Sequence, residues 1–142
     1  MDHRIILRKL RRLIRRYGTS DPFAIAKARH IEVVFEPLGS LMGYHYFERR
    51  CHVIVINSDL DDATARYVCA HELGHAILHP DINVSFSIPG TCPKTERYEW
   101  EADTFAVRLL SHSLDLYDGI TIQQAASICG IPPERAKWLR DE

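Results

Sequence analysis

The chain has 142 residues, 46% hydrophobic and 26% charged, with a formal net charge of −1. That length and balance suit one ordinary domain over residues 1–142 and speak against a disordered chain. No apolar run approaches the ~18–20 residues of a membrane span, and basic residues interrupt the N-terminus too often for a signal peptide, so a cytoplasmic protein without membrane contact is expected.

The charge is unevenly spread. Residues 1–30 carry nine Lys/Arg against two acids, and residues 31–142 carry nine against seventeen. Ile6, Leu10, Leu13, Ile14 and Tyr17 recur at helical spacing among the arginines, which predicts a basic amphipathic helix over residues 1–18, closed by Gly18. Such a helix either packs on the acidic body or offers a basic surface to a partner, and the sequence does not decide between them. With no aromatic interleaving or known binding motif, direct contact with nucleic acid is not expected. Ser20-Asp21-Pro22 caps a second helix over Pro22–Arg29.

From His30 the pattern becomes β-branched and aromatic: IEVVF, LMGYHYF and CHVIVIN, with turns at Pro37–Ser40 and Glu48–Arg50. These predict a small three-stranded sheet of antiparallel type, its last two strands a hairpin. Cap residues in Asn57–Asp62 precede a helix from Ala63 to His79, stopped by Pro80. Residues 81–95 read as loop, and a helix follows from Thr95 to His112. The tail, residues 113–142, reads as a pair of short helices joined at Gly130-Ile131-Pro132. The expected class is α+β. Cys51, Cys69, Cys92 and Cys129 form no C-x-x-C pair and are expected to be reduced thiols.

Residues 71–80 read HELGHAILHP. His71 and His75, four residues apart, lie on one helix face within reach of a single Zn²⁺ at ~2.0–2.1 Å. Glu72 sits about 100° around the helix, beside the open coordination position, where it can move a proton from water to a leaving amine. A chance H-E-x-x-H is expected about 0.03 times in a chain of this composition, so the motif needs its helical context. Three ligands and a base favour catalysis over a structural zinc site, which four protein ligands would close.

The third ligand has several candidates. His79 is about 12 Å along the axis from His71, too far for one ion, and is expected to serve the helix C-terminus as a cation. Asp81 lacks the glycine that such motifs need to turn the chain back, because Leu78 stands there. Glu99 and Glu101 point about 200° apart on one helix, so only one can address the ion. Glu99 is the choice, with Asp103 one turn on to accept the free N–H of a ligating histidine. No residue is securely identified for the oxyanion. Tyr67, Tyr98, His112 and His45 are the possibilities.

HELGHAILH followed by Glu99–Ala106 (EWEADTFA) resembles the ImmA/IrrE family of metallopeptidases, in which H-E-x-x-H precedes E-x-E-A-N/D-x-F-A. The similarity spans roughly residues 20–112. It implies a compact gluzincin-like (zincin) α+β catalytic core, with a small sheet packed on the H-E-x-x-H helix and the glutamate-ligand helix. By position it implies His71, His75 and Glu99 as zinc ligands and Glu72 as catalytic base. Family members are commonly encoded on mobile elements or prophages, and several cleave a helix-turn-helix repressor and so release transcription. Ser111-His112 depart from the Met-Pro that often ends the second motif, which bears on the wall of the substrate cleft. The expected function is therefore a cytoplasmic zinc endopeptidase whose protein substrate is a helix-turn-helix repressor. The alternative is a non-catalytic regulatory module that binds a repressor or DNA around a structural or vestigial zinc site.

Overall fold

The computed structural model describes residues 1–80, 93–112 and 121–133. Helix α1 spans His3–Tyr17, its first turn capped by Asp2 Oδ1 accepting from the Arg4 N–H at 2.9 Å and its end turned by Gly18 at φ 68°. It buries Ile6, Leu10 and Leu13, and its arginines stay exposed. Helix α2 covers Pro22–Ala28, capped by Asp21 with proline in the first turn, and buries Ile25 and Ala26.

Three strands follow: β1 Glu32–Glu36, β2 Gly43–Glu48 and β3 Cys51–Asn57. Their order is β1-β3-β2, with β2 antiparallel to β3 as a two-residue hairpin and β1 parallel to β3. The sheet is thus mixed, not antiparallel as expected. Each connection reverses direction, so β3 runs with β1, and the pairing of these two makes the sheet mixed. The most apolar strand takes the centre, with Val53 to Asn57 all buried. Asn57 makes the crossover from β1 to β2 possible. Its side chain donates to the carbonyls of Gly39 (3.0 Å) and Leu41 (2.9 Å) and accepts from the Leu38 N–H (3.4 Å). Asn57 also opens the stretch Asn57–Asp62 expected to supply the cap of the next helix. The cap is Asp61, whose Oδ1 accepts from the Thr64 N–H at 2.7 Å.

Helix α3 spans Asp62–Leu78 and is buried on nearly every side, as a central helix must be. Helix α4, Pro93–Leu110, lies against it and buries a continuous run from Glu101 to Val107. Helix α1 packs on α4, so the buried apolar stripe of the basic helix serves the core. Helix α5, Ile122–Cys129, starts with a Thr121/Gln124 capping box and touches α3. The second tail helix expected from the sequence falls outside the described residues, as does most of the loop expected over 81–95. Helices α2 and α4 differ from expectation by one or two residues at their ends, within ordinary fraying.

Two glycines set the spacing around α3. A Cβ on Gly43 of β2 would meet Val68 Cγ1 at 2.6 Å and the Val55 carbonyl at 2.7 Å, and one on Gly74 would meet three Phe105 side-chain atoms at 3.0–3.2 Å. Sheet and α4 therefore both approach α3 at positions without a side chain. No helix among the described residues is long and apolar enough to cross a membrane.

Candidate metal centre

The i, i+4 spacing on α3 turns His71 and His75 to one side, and the approach of α4 at Gly74 brings Glu99 over them. His71 Nε2 lies 3.1 Å from Glu99 Oε2, and His75 Nε2 lies 2.8 Å from Glu99 Oε1. One ligand atom from each residue can be chosen so that all lie within 4.8 Å of one another. Zinc bonds of ~2.0–2.1 Å at tetrahedral angles separate neighbouring ligand atoms by about 3.3 Å, so this donor set fits a small divalent cation with modest adjustment.

The surroundings reinforce that fit. His71 Nδ1 lies 2.8 Å from Asp103 Oδ1, which also accepts from the Tyr67 hydroxyl at 2.6 Å. A proton held on Nδ1 leaves the Nε2 lone pair turned to the cluster. Burial opposes charge on His71, but Asp103, Glu99 and Glu72 together raise its proton affinity well above the ordinary histidine value. Acids crowded around an imidazole favour any cation there, and a metal at Nε2 would displace the proton carried on that nitrogen. Burial likewise disfavours charge on Glu99, yet the two histidines hold its carboxyl well below the usual range.

Glu72 is buried beside this cluster. Its Oε1 is 3.1 Å from His45 Nδ1 on β2, and its Oε2 is 3.8 Å from His71 Nε2. Burial pushes its carboxyl up, but His45, His71 and His75 outweigh it and the group ends below its ordinary pKa. Glu72 is thus ionised at neutral pH and able to accept a proton.

Other residues weighed from the sequence are also located. His79 lies outside the set that can share an ion, as helix geometry required. It is not a solvated cation at the helix end, however. The ring is buried, burial lowers its pKa, and it bridges His75 and Glu101. Glu101 faces that ring, away from the Glu99 site. Asp81 lies outside the described residues. Of the oxyanion possibilities, Tyr67 is committed to Asp103, His45 to Glu72, and Tyr98 packs on the His79 ring at 4.5 Å between centroids, while His112 is exposed. Sequence reasoning gave no role to the His45–Glu72 contact. β-strand alternation could have marked His45 as inward-facing, but not its partner on α3.

The sequence matches the Peptidase_M78 family, described as an IrrE N-terminal-like domain, over residues 26–111. It is 39% identical to an uncharacterized immunity region protein 2 of Bacillus phage phi105, across 93% of this chain and 87% of that one. It is 28% identical to metallopeptidase ImmA of Bacillus subtilis (strain 168), across 89% of this chain and 79% of that one.

Proposed function

The chain belongs to the Peptidase_M78 family (IrrE N-terminal-like domain), and from that premise we propose that it is a zinc-dependent endopeptidase acting on one specific protein, a helix-turn-helix transcriptional repressor of a mobile element or prophage. The hydrolytic reading is carried by the convergence of His71, His75 and Glu99 within 4.8 Å, with an ionised Glu72 beside them. In this reading the two Nε2 atoms and a Glu99 oxygen would hold the ion. When bound there, zinc would supply Lewis acidity toward the water and the scissile carbonyl.

The remaining work falls to the chain's own groups. Glu72 accepts a proton as the water oxygen bonds to the carbonyl carbon. The C–N bond then breaks, and Glu72 passes that proton to the leaving nitrogen. One water is consumed, and a carboxylate and an ammonium result, because the second water proton also ends on the leaving nitrogen. His45 holds Glu72 Oε1, leaving Oε2 on the His71 side for proton transfer. Asp103, steadied by Tyr67, keeps the His71 proton on Nδ1.

The substrate class is supported by the name of the phage relative, an immunity region protein, and by the family resemblance. A repressor is the target that this name and the resemblance together favour, and its cleavage would take place in the cytoplasm. The test is to incubate the zinc-loaded protein with the helix-turn-helix repressor encoded nearest to it. Discrete fragments that disappear with a chelator and return with added zinc are expected. An intact repressor that nonetheless forms a stable complex would favour the non-catalytic binding module instead.

A further inference from the structure

His79 and Glu101 are buried polar residues that the proposed mechanism does not use, 4% and 2% exposed. They form a continuous chain ending on His75. His75 Nδ1 is 3.2 Å from His79 Nδ1, and His79 Nε2 is 2.7 Å from Glu101 Oε1. The protons along this chain can be assigned. His75 Nε2 faces Glu99 and the cluster at 2.8 Å, so binding a metal there requires its lone pair and places its proton on Nδ1. That N–H must then donate to an unprotonated His79 Nδ1. His79 in turn carries its proton on Nε2 and donates to Glu101. Each link admits one tautomer.

We propose that His79 and Glu101 are positioning residues for the metal: a two-step relay that orients His75, fixes its tautomer and strengthens Nε2 as a donor. The inference rests on the metal-site reading above. It makes the two histidines of the site equivalent in kind. His71 is backed by a carboxylate directly, Asp103 at 2.8 Å, and His75 by a carboxylate through one intervening imidazole. The rings are also clamped from the sides. His45 stacks on His75 at 5.5 Å and 14°, and Tyr98 packs on His79. Glu101 is itself held through its other oxygen by the Met1 ammonium at 2.5 Å and Arg97 Nε at 3.7 Å. Backing groups of this kind change metal affinity by about 10–100-fold when removed.

The experiment measures Zn²⁺ affinity by chelator competition for wild type, His79→Phe, Glu101→Gln and the double variant. The visible spectrum of the Co²⁺ forms and the melting temperature of each metal-free form are recorded alongside. Each single variant is expected to weaken Zn²⁺ binding, His79→Phe by about 10–100-fold and Glu101→Gln by less, because the amide oxygen still accepts from His79. The double variant should be no weaker than His79→Phe, because the two act in series. The Co²⁺ bands should shift in both. A purely structural contact would lower the metal-free melting temperature and leave Zn²⁺ affinity and the Co²⁺ spectrum unchanged, which overturns the relay. Should His79→Phe fail to fold, the near-isosteric Glu101→Gln decides alone. A wild type that binds no metal would overturn the site reading itself, a different result from tight binding in every variant.

Discussion

Gly74 of α3 faces Phe105 of α4 so closely that an added Cβ would sit 3.0–3.2 Å from three Phe105 side-chain atoms. This contact sets how near Glu99 comes to the two histidines. Gly74→Ala requires the Phe105 side chain to give by a few tenths of an ångström. Overpacking should cost about 1–3 kcal/mol, offset by about 1 kcal/mol of helix propensity, and the shifted Phe105 should weaken Zn²⁺ binding. Urea denaturation and chelator competition check both, and a variant with wild-type zinc affinity would show that the spacing does not govern the site.

Glu99 is the member of the cluster supplied from outside α3, and its side chain is 40% exposed. Glu99→Ala should therefore keep the helical signal in circular dichroism while bound zinc falls well below one per chain. Full zinc retention would move the third ligand elsewhere.

The β2–β3 hairpin turns on Arg49 and Arg50, both left-handed at φ 50° and 65°. A non-glycine residue there costs roughly 1–2 kcal/mol. Arg50→Gly should accordingly stabilise the fold by about 1 kcal/mol, less the entropy that glycine adds to the unfolded chain, with zinc binding unchanged. A lower melting temperature would mean that Arg50 makes contacts worth more than this strain.

His52 has its pKa lowered by burial, then by His45 and Arg29. As pH falls through 6.5, the unfolded chain takes up a proton there before the folded one does, so this residue's contribution to stability is present above 6.5 and lost below it. The metal-free protein should lose less stability between pH 7.5 and 5.5 as His52→Gln than as wild type. Equal losses in urea midpoint would exclude His52 as the source.

The helices were legible because their signals are local: Asp21 and Gly18 stand where caps belong, and α3 ends before Pro80. The strands were legible from β-branched runs. So was the β2–β3 hairpin, but the placing of β1 was not, because its parallel contact with β3 depends on Asn57 holding a crossover loop up to nineteen residues back along the chain. Within the site, helical rise alone separated His79 from the histidine pair, and helical phase separated Glu99 from Glu101. What neither could reveal is contact between elements. His45 reaches Glu72 from a strand, and His79 meets Glu101 across two helices. Burial changes His79 most: a histidine at a helix end reads as a solvated cation, but this one is enclosed, and burial lowers its pKa.

The central claim is that Glu72 moves the proton in peptide hydrolysis, and the direct measurement compares wild type with Glu72→Gln on the neighbouring repressor. Both proteins should carry one zinc per chain, because Glu72 is not among the residues proposed to hold it. The cleavage rate should fall by about 10²–10⁴-fold in the variant. Equal cleavage by the two proteins, or repressor binding by both with cleavage by neither, would contradict the account.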